Sequence, residues 1–93
     1  MEKIEERIKK LEENQLRMAK EFGKQGVAFF FTLAGIKIAS LGEEKYRDCE
    51  KYMKDNIDKA NKQMGDAKDV DKVLTLAAKF TDDCIEYTES QFK

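Results

Sequence analysis

Residues 43–91 read EEKYRDCEKYMKDNIDKANKQMGDAKDVDKVLTLAAKFTDDCIEYTESQ, and the way this stretch folds back on itself decides the architecture of the chain. Gly65-Asp66 is the one point between its two cysteines where a helix would break. Cys49 and Cys84 stand at matching distances on either side of that point, so a fold there brings them together. The same mirror sets Tyr46 opposite Tyr87, Met53 opposite Phe80, Ile57 opposite Leu76 and Ala60 opposite Val73. Apolar residues recur every three or four positions on both arms, which is the period of a helix with one buried stripe. The pattern predicts an antiparallel helical hairpin of about 43–64 and 69–91. Gly65 would be its left-handed terminator and Asp66 or Asp69 the cap of the second helix.

Upstream of the hairpin the chain changes character twice. Met1, Ile4, Ile8, Leu11, Met18 and Phe22 keep a three-four spacing with only Gln15 polar among them, predicting an amphipathic, coiled-coil-like helix over about 2–22. Glu5–Lys9, Glu6–Lys10 and Glu13–Arg17 are acid-first i,i+4 pairs on its other faces. Gly23 and Gly26 weaken that helix, and no charge lies between Lys24 and Lys37, which predicts a separate apolar helix over about 26–40. Phe29, Phe30 and Phe31 advance by about 100° each and cannot share one face, so something other than the hairpin must cover part of them. Ala28, Thr32, Gly35 and Ala39 do share a face, on which another helix can approach closely. Ser40-Leu41-Gly42-Glu43 fits a capping box starting the next helix near Leu41. The expected fold is therefore all-α, a single helical domain over 1–93. It comprises an amphipathic arm (1–25), an apolar helix (26–42) and a hairpin (43–93).

Composition narrows the function classes. Ninety-three residues with no proline and 40% charged side chains suit a small helical domain. A chain of that size buries only roughly 60–65% of its unfolded surface, so a staple or a partner is expected. The formal charge of −1 provides no basic footprint for phosphates, which argues against nucleic acid. Histidine is absent, removing the commonest general base and metal ligand. No nucleophile–base pair, no glycine-rich phosphate loop and no cleavable targeting pattern is visible, and the chain reads as a non-enzyme that implies no cofactor. Asp66, Asp69 and Asp71 lack the central glycine and terminal glutamate of a calcium loop and read as helix-cap chemistry, not as a metal site. Asp82, Asp83, Glu86 and Glu89 read as a solvated face, with a docking surface for a basic partner as the sharper alternative. Residues 26–36 are short for a membrane span, so lipid contact through about 26–41 is possible but not favoured.

Cys49 and Cys84 allow two readings: a disulfide, which the register of the hairpin favours, or two buried thiols on an apolar seam. Cys49-x-x-x-Met53 and Phe80-x-x-x-Cys84 resemble the twin Cys-x-x-x-Cys hairpins of the mitochondrial intermembrane space, with a Met53–Phe80 contact in place of the inner disulfide. The small Tim chaperones share that hairpin. A closer similarity is to the eukaryotic proteins named "family with sequence similarity 136". Their amphipathic leader resembles Ile4-Glu5, Ile8, Leu11-Glu12 and Arg17, and their Gln-Gly resembles Gln25-Gly26. In that alignment Phe31 and Gly35 take first-pair positions, and Cys49 and Met53 the next. The resemblance implies a mitochondrial location, in the intermembrane space or at the inner membrane; without it a cytoplasmic one is expected.

The sequence thus predicts a non-catalytic accessory or scaffolding subunit with protein partners, in a larger complex or as a homo-oligomer. A small helical chaperone or carrier for hydrophobic segments is the alternative. The expected interface residues are Ile4, Ile8, Leu11, Phe22, Phe29, Phe30, Phe31, Leu33 and Ile36.

Overall fold

The computed structural model describes residues 2–93; Met1, assigned above to the first apolar stripe, lies outside them. Three helices follow one another: α1 (Glu2–Ala39), α2 (Glu43–Asp66) and α3 (Val70–Gln91). Met64 and Val73 lie beside Gly23, and Met53 and Tyr46 lie beside Gly35. Cys84 lies at Phe30 and Phe92 at Lys37. α2 therefore runs antiparallel to α1, and α3 runs parallel to it. α1 packs along both other helices more extensively than they pack on each other, so the expected all-α hairpin is completed by α1 into an up-down-up bundle.

The first correction concerns the glycines at 23 and 26, because α1 is unbroken over 38 residues. Each glycine costs a helix interior about 1 kcal/mol relative to alanine, too little to break a helix whose face is buried. Gly23 is there for space. A Cβ at that position would lie 2.8 Å from the sulfur of Met64 and 3.2 Å from a methyl of Val73, and both of those residues are fully buried. Gly26 has nothing within 4 Å. On this bundle-facing side Val27, Phe31, Ala34 and Ile38 are buried, with Leu16 and Ala19 packed at the near end. Gly35 admits the end of Met53, and the helix approaching the small-residue face is α2 of the same chain.

The turns also differ from expectation. α2 starts at Glu43 with no side-chain cap; its cap residue is Gly42 at φ 114°, a conformation that only glycine adopts readily. Ser40 does not form the capping box and donates instead to the Lys37 carbonyl at 2.7 Å. Gly65 is not a left-handed terminator: α2 continues to Asp66 and ends in extended backbone at Ala67. The carbonyl freed in that last turn, on Gly65, accepts from the Lys20 ammonium at 2.8 Å. Asp69 caps α3 as expected, its carboxylate accepting from the Lys72 N–H at 2.8 Å. The arm pairs Glu5–Lys9, Glu6–Lys10 and Glu13–Arg17 are not closed; on a fully hydrated helix such pairs gain little. Glu43–Arg47 on α2 is closed at 2.6 Å.

The two glycines give opposite expectations. Gly26→Ala should raise the unfolding free energy by about 1 kcal/mol. Gly23→Leu should lower it by roughly 1–3 kcal/mol or more by forcing α1 away from Met64 and Val73. Urea melts followed by circular dichroism decide between this and a helix break, in which neither residue would be crowded and Gly23→Leu would be harmless.

Candidate functional site

α1 carries a second apolar face. At 1.5 Å per residue it is about 57 Å long, against about 36 Å for α2, and residues 3–15 are all exposed. The molecule is correspondingly drawn out, 62 × 17 × 16 Å, with a radius of gyration of 16.9 Å where a compact chain of this length would have about 12 Å. Its accessible surface is 7106 Å², while a compact protein of 10.8 kDa exposes roughly 5,500 Å². That excess has a chemical character. Ile4, Ile8, Leu11, Met18, Phe22, Phe29 and Ile36 are each exposed by half or more, and they fall on one stripe opposite the buried Val27, Phe31, Ala34 and Ile38.

The expected interface residues therefore separate into two sets. Ile4, Ile8, Leu11, Phe22, Phe29 and Ile36 lie together on the outward stripe. Phe30 and Leu33 are partly exposed on its flank, where with Ala34, Ile85 and Thr88 they line an open groove between α1 and α3. Phe31 is the correction: it is 1% exposed and belongs to the core, where its ring lies 6.0 Å from that of Tyr52. Met18 joins the outward stripe, and its place in the three-four spacing of the arm is the signal for it.

Where the three helices meet, each contributes an aromatic residue or a thiol. Tyr52 stacks on Tyr87 with centroids 3.8 Å apart and rings 5° from parallel. Its hydroxyl donates to the Asp83 carbonyl at 3.4 Å. Tyr87 thus pairs with Tyr52 and not with Tyr46, which faces α1 beside Gly35 together with Met53. The disulfide is likewise not formed, and Cys49 and Cys84 are free, buried thiols. The mirror assumed that the seams of α2 and α3 face only each other. With α1 lying across both, the Cys84 thiol points at the Phe30 carbonyl, 3.8 Å away, and Met53 points at Gly35. Burial pushes the Cys49 thiol up from its ordinary value, and the neighbouring Cys84 adds to the rise. Burial pushes Cys84 up as well, against a lowering contribution from Thr88. Burial raises Tyr52, with Asp83 adding to the rise, and burial raises Tyr87, with Cys49 and then Asp48 adding. A thiol held protonated and out of water is a poor nucleophile, and both thiols are packed in the core.

Among the described residues no group of three or more Cys, Asp or Glu is placed to hold a metal ion, and no helix is long and apolar enough to cross a membrane. On α3, Asp82, Glu86 and Glu89 are exposed and Asp83 is half-buried. The chain matches no protein-family model, no curated protein and no solved structure.

The four raised groups fix the sign of an alkaline effect. Below the ordinary cysteine value of 9.0 both folded and unfolded chains keep these protons, and stability is insensitive to them. Above it the unfolded chain releases protons that the fold retains, so stability falls as pH rises through the folded values. The urea midpoint should be lower at pH 10 than at pH 8, and Cys49→Ala/Cys84→Ala should reduce that drop. Without reductant, a thiol reagent should label two sites in the denatured chain and react slowly with the folded one; no labelling after denaturation would mean the thiols are oxidised.

Proposed function

We propose that this chain is a non-catalytic accessory or scaffolding subunit, docking into a larger protein assembly through the outward face of α1. The observation that carries this reading is the stripe from Ile4 to Ile36, apolar and uncovered along nearly the whole of α1. Monomeric soluble proteins rarely leave a contiguous apolar surface of that extent in water. The rest of the chain supports a structural role, since its buried polar centre is satisfied and its thiols are shielded. A mitochondrial setting for the assembly is proposed on the sequence resemblance alone. The chaperone or carrier reading keeps one observation in its favour, the open groove of Phe30, Leu33, Ala34 and Ile85, which suits an extended hydrophobic segment.

Purification of the tagged full chain from its native source separates the two. A subunit should co-purify with the same partners at a fixed ratio. Phe22→Glu or Leu11→Glu should reduce that recovery on the order of tenfold or more, while Asp82→Ala leaves it unchanged. A varied, exchanging set of clients that depends on Phe30 and Ile85 would instead favour the carrier. Recovery of the chain with neither would overturn both.

A further inference from the structure

The outward stripe of α1 has a register as well as a polarity. Ile8, Gln15, Phe22, Phe29 and Ile36 are spaced by seven, and so are Ile4, Leu11, Met18, Gln25 and Thr32, the two series offset by four and three. These are the a and d positions of a two-stranded coiled coil, and all ten residues are exposed. The flanks of the seam are small near the bundle, with Ala19 and Gly26 on one side and Ala28 on the other, and a Cβ at Gly26 would meet nothing within 4 Å. Neither α2 nor α3 covers the seam, although Thr32 and Ile36 at its far end also line the open groove against α2, so a second helix can approach the seam without displacing them.

We propose that this seam is closed by a second copy of the chain, lying parallel and in register. The inference rests on the reading of the α1 face as an assembly joint, and it names the occupant. Three arguments select a parallel copy. First, a parallel pair sets Gln15 against Gln15 and Gln25 against Gln25, so each polar side chain meets a hydrogen-bonding partner while every other layer but that of Thr32 is wholly apolar. A buried polar pair of this kind is a register device. Second, parallel pairing brings Arg7 beside Glu12 of the other copy, on both sides of the dimer; neither residue has an ion-pair partner within its own chain among the described residues. Third, the antiparallel alternatives conflict with the charge or the polar pattern. The alignment that opposes Gln15 with Gln25 sets Glu21 against its own copy, and the alignments one heptad to either side set Ile8 or Phe22 against Gln25. The seam is also large enough: the exposures of its seven large apolar residues amount to several hundred Å² per copy, on the order of the ~800 Å² per partner of a standard interface.

The test uses the purified full chain, with its mass in solution measured by light scattering at micromolar to hundred-micromolar concentration. Twice the 10.8 kDa chain mass is expected. Phe22→Glu should weaken the dimer on the order of 100-fold or more by burying an unpaired charge, with helical circular dichroism retained. Gln25→Cys lies in the seam; under mild oxidation it should form an inter-chain disulfide that the native chain, with both thiols buried, does not form. A dimer in which Gln25→Cys crosslinks only to a Gln15→Cys chain would be antiparallel and would overturn the proposal. A folded monomer that still binds a fixed heterologous partner through Phe22 would overturn the second copy while leaving the assembly joint standing. A folded monomer with no partner would remove both.

Discussion

The close approach at Gly23 is the constraint on which the rest of the structure depends. A Cβ there would already crowd the Met64 sulfur at 2.8 Å and a Val73 methyl at 3.2 Å, and a larger side chain would push α1 away from these two residues at the turn between α2 and α3. Its absence lets α1 lie against the tip of the hairpin, and that contact holds the middle of α1 in helical form across two glycines. Lys20, one turn earlier, closes the same corner by donating to the Gly65 carbonyl. At the other end of the bundle Gly42 makes the tight return from α1 to α2. Between those corners Phe31, Tyr52 and Tyr87, one from each helix, fix the spacing of the three axes.

An unbroken α1 has consequences for the surface. A helix interrupted at residue 23 would be free to fold its amphipathic arm back over Phe29 and Ile36, covering its own apolar stripe. The continuous helix cannot do so. Its arm extends past the ends of α2 and α3, and the stripes before and after Gly23 align into one face about 48 Å long at 1.5 Å per residue. The molecule thus buries one side of α1 in its own core and leaves the other uncovered. The proposed role rests on that division: the buried centre holds the bundle together, and the outward face is left for a partner.

Much of this was legible in the sequence. The hairpin of α2 and α3 followed from the three-four spacing on each side of residues 65–69, and its limits lay within a few residues of those observed. The apolar stripe of the arm could be read from Ile4 to Phe22, and the angular spread of Phe29, Phe30 and Phe31 showed that one face would remain uncovered. Local reasoning failed where a third helix intervened. Gly23 looked like a helix breaker because its propensity is visible in the sequence and the crowding by Met64 and Val73 is not. The mirrored pair Tyr46–Tyr87 assumed two facing helices, whereas α1 lies across both seams, Tyr46 sits beside Gly35 and Tyr87 stacks on Tyr52. The same geometry turns Cys84 toward Phe30, and a register that favoured a disulfide leaves two thiols. Phe31 was grouped with its neighbours because three identical residues in a row give no hint of which one faces inward.

Backbone amide hydrogen exchange across residues 20–34, resolved residue by residue by nuclear magnetic resonance, tests the central claim that α1 is one helix held by the hairpin. The account predicts that the amides of residues 23–27 are protected to the same degree as those of Phe31 and Ala34. Rapid exchange confined to residues 23–26, with slow exchange on both sides, would show two helices joined by a hinge. That result would contradict both the shared core and the continuous outer face.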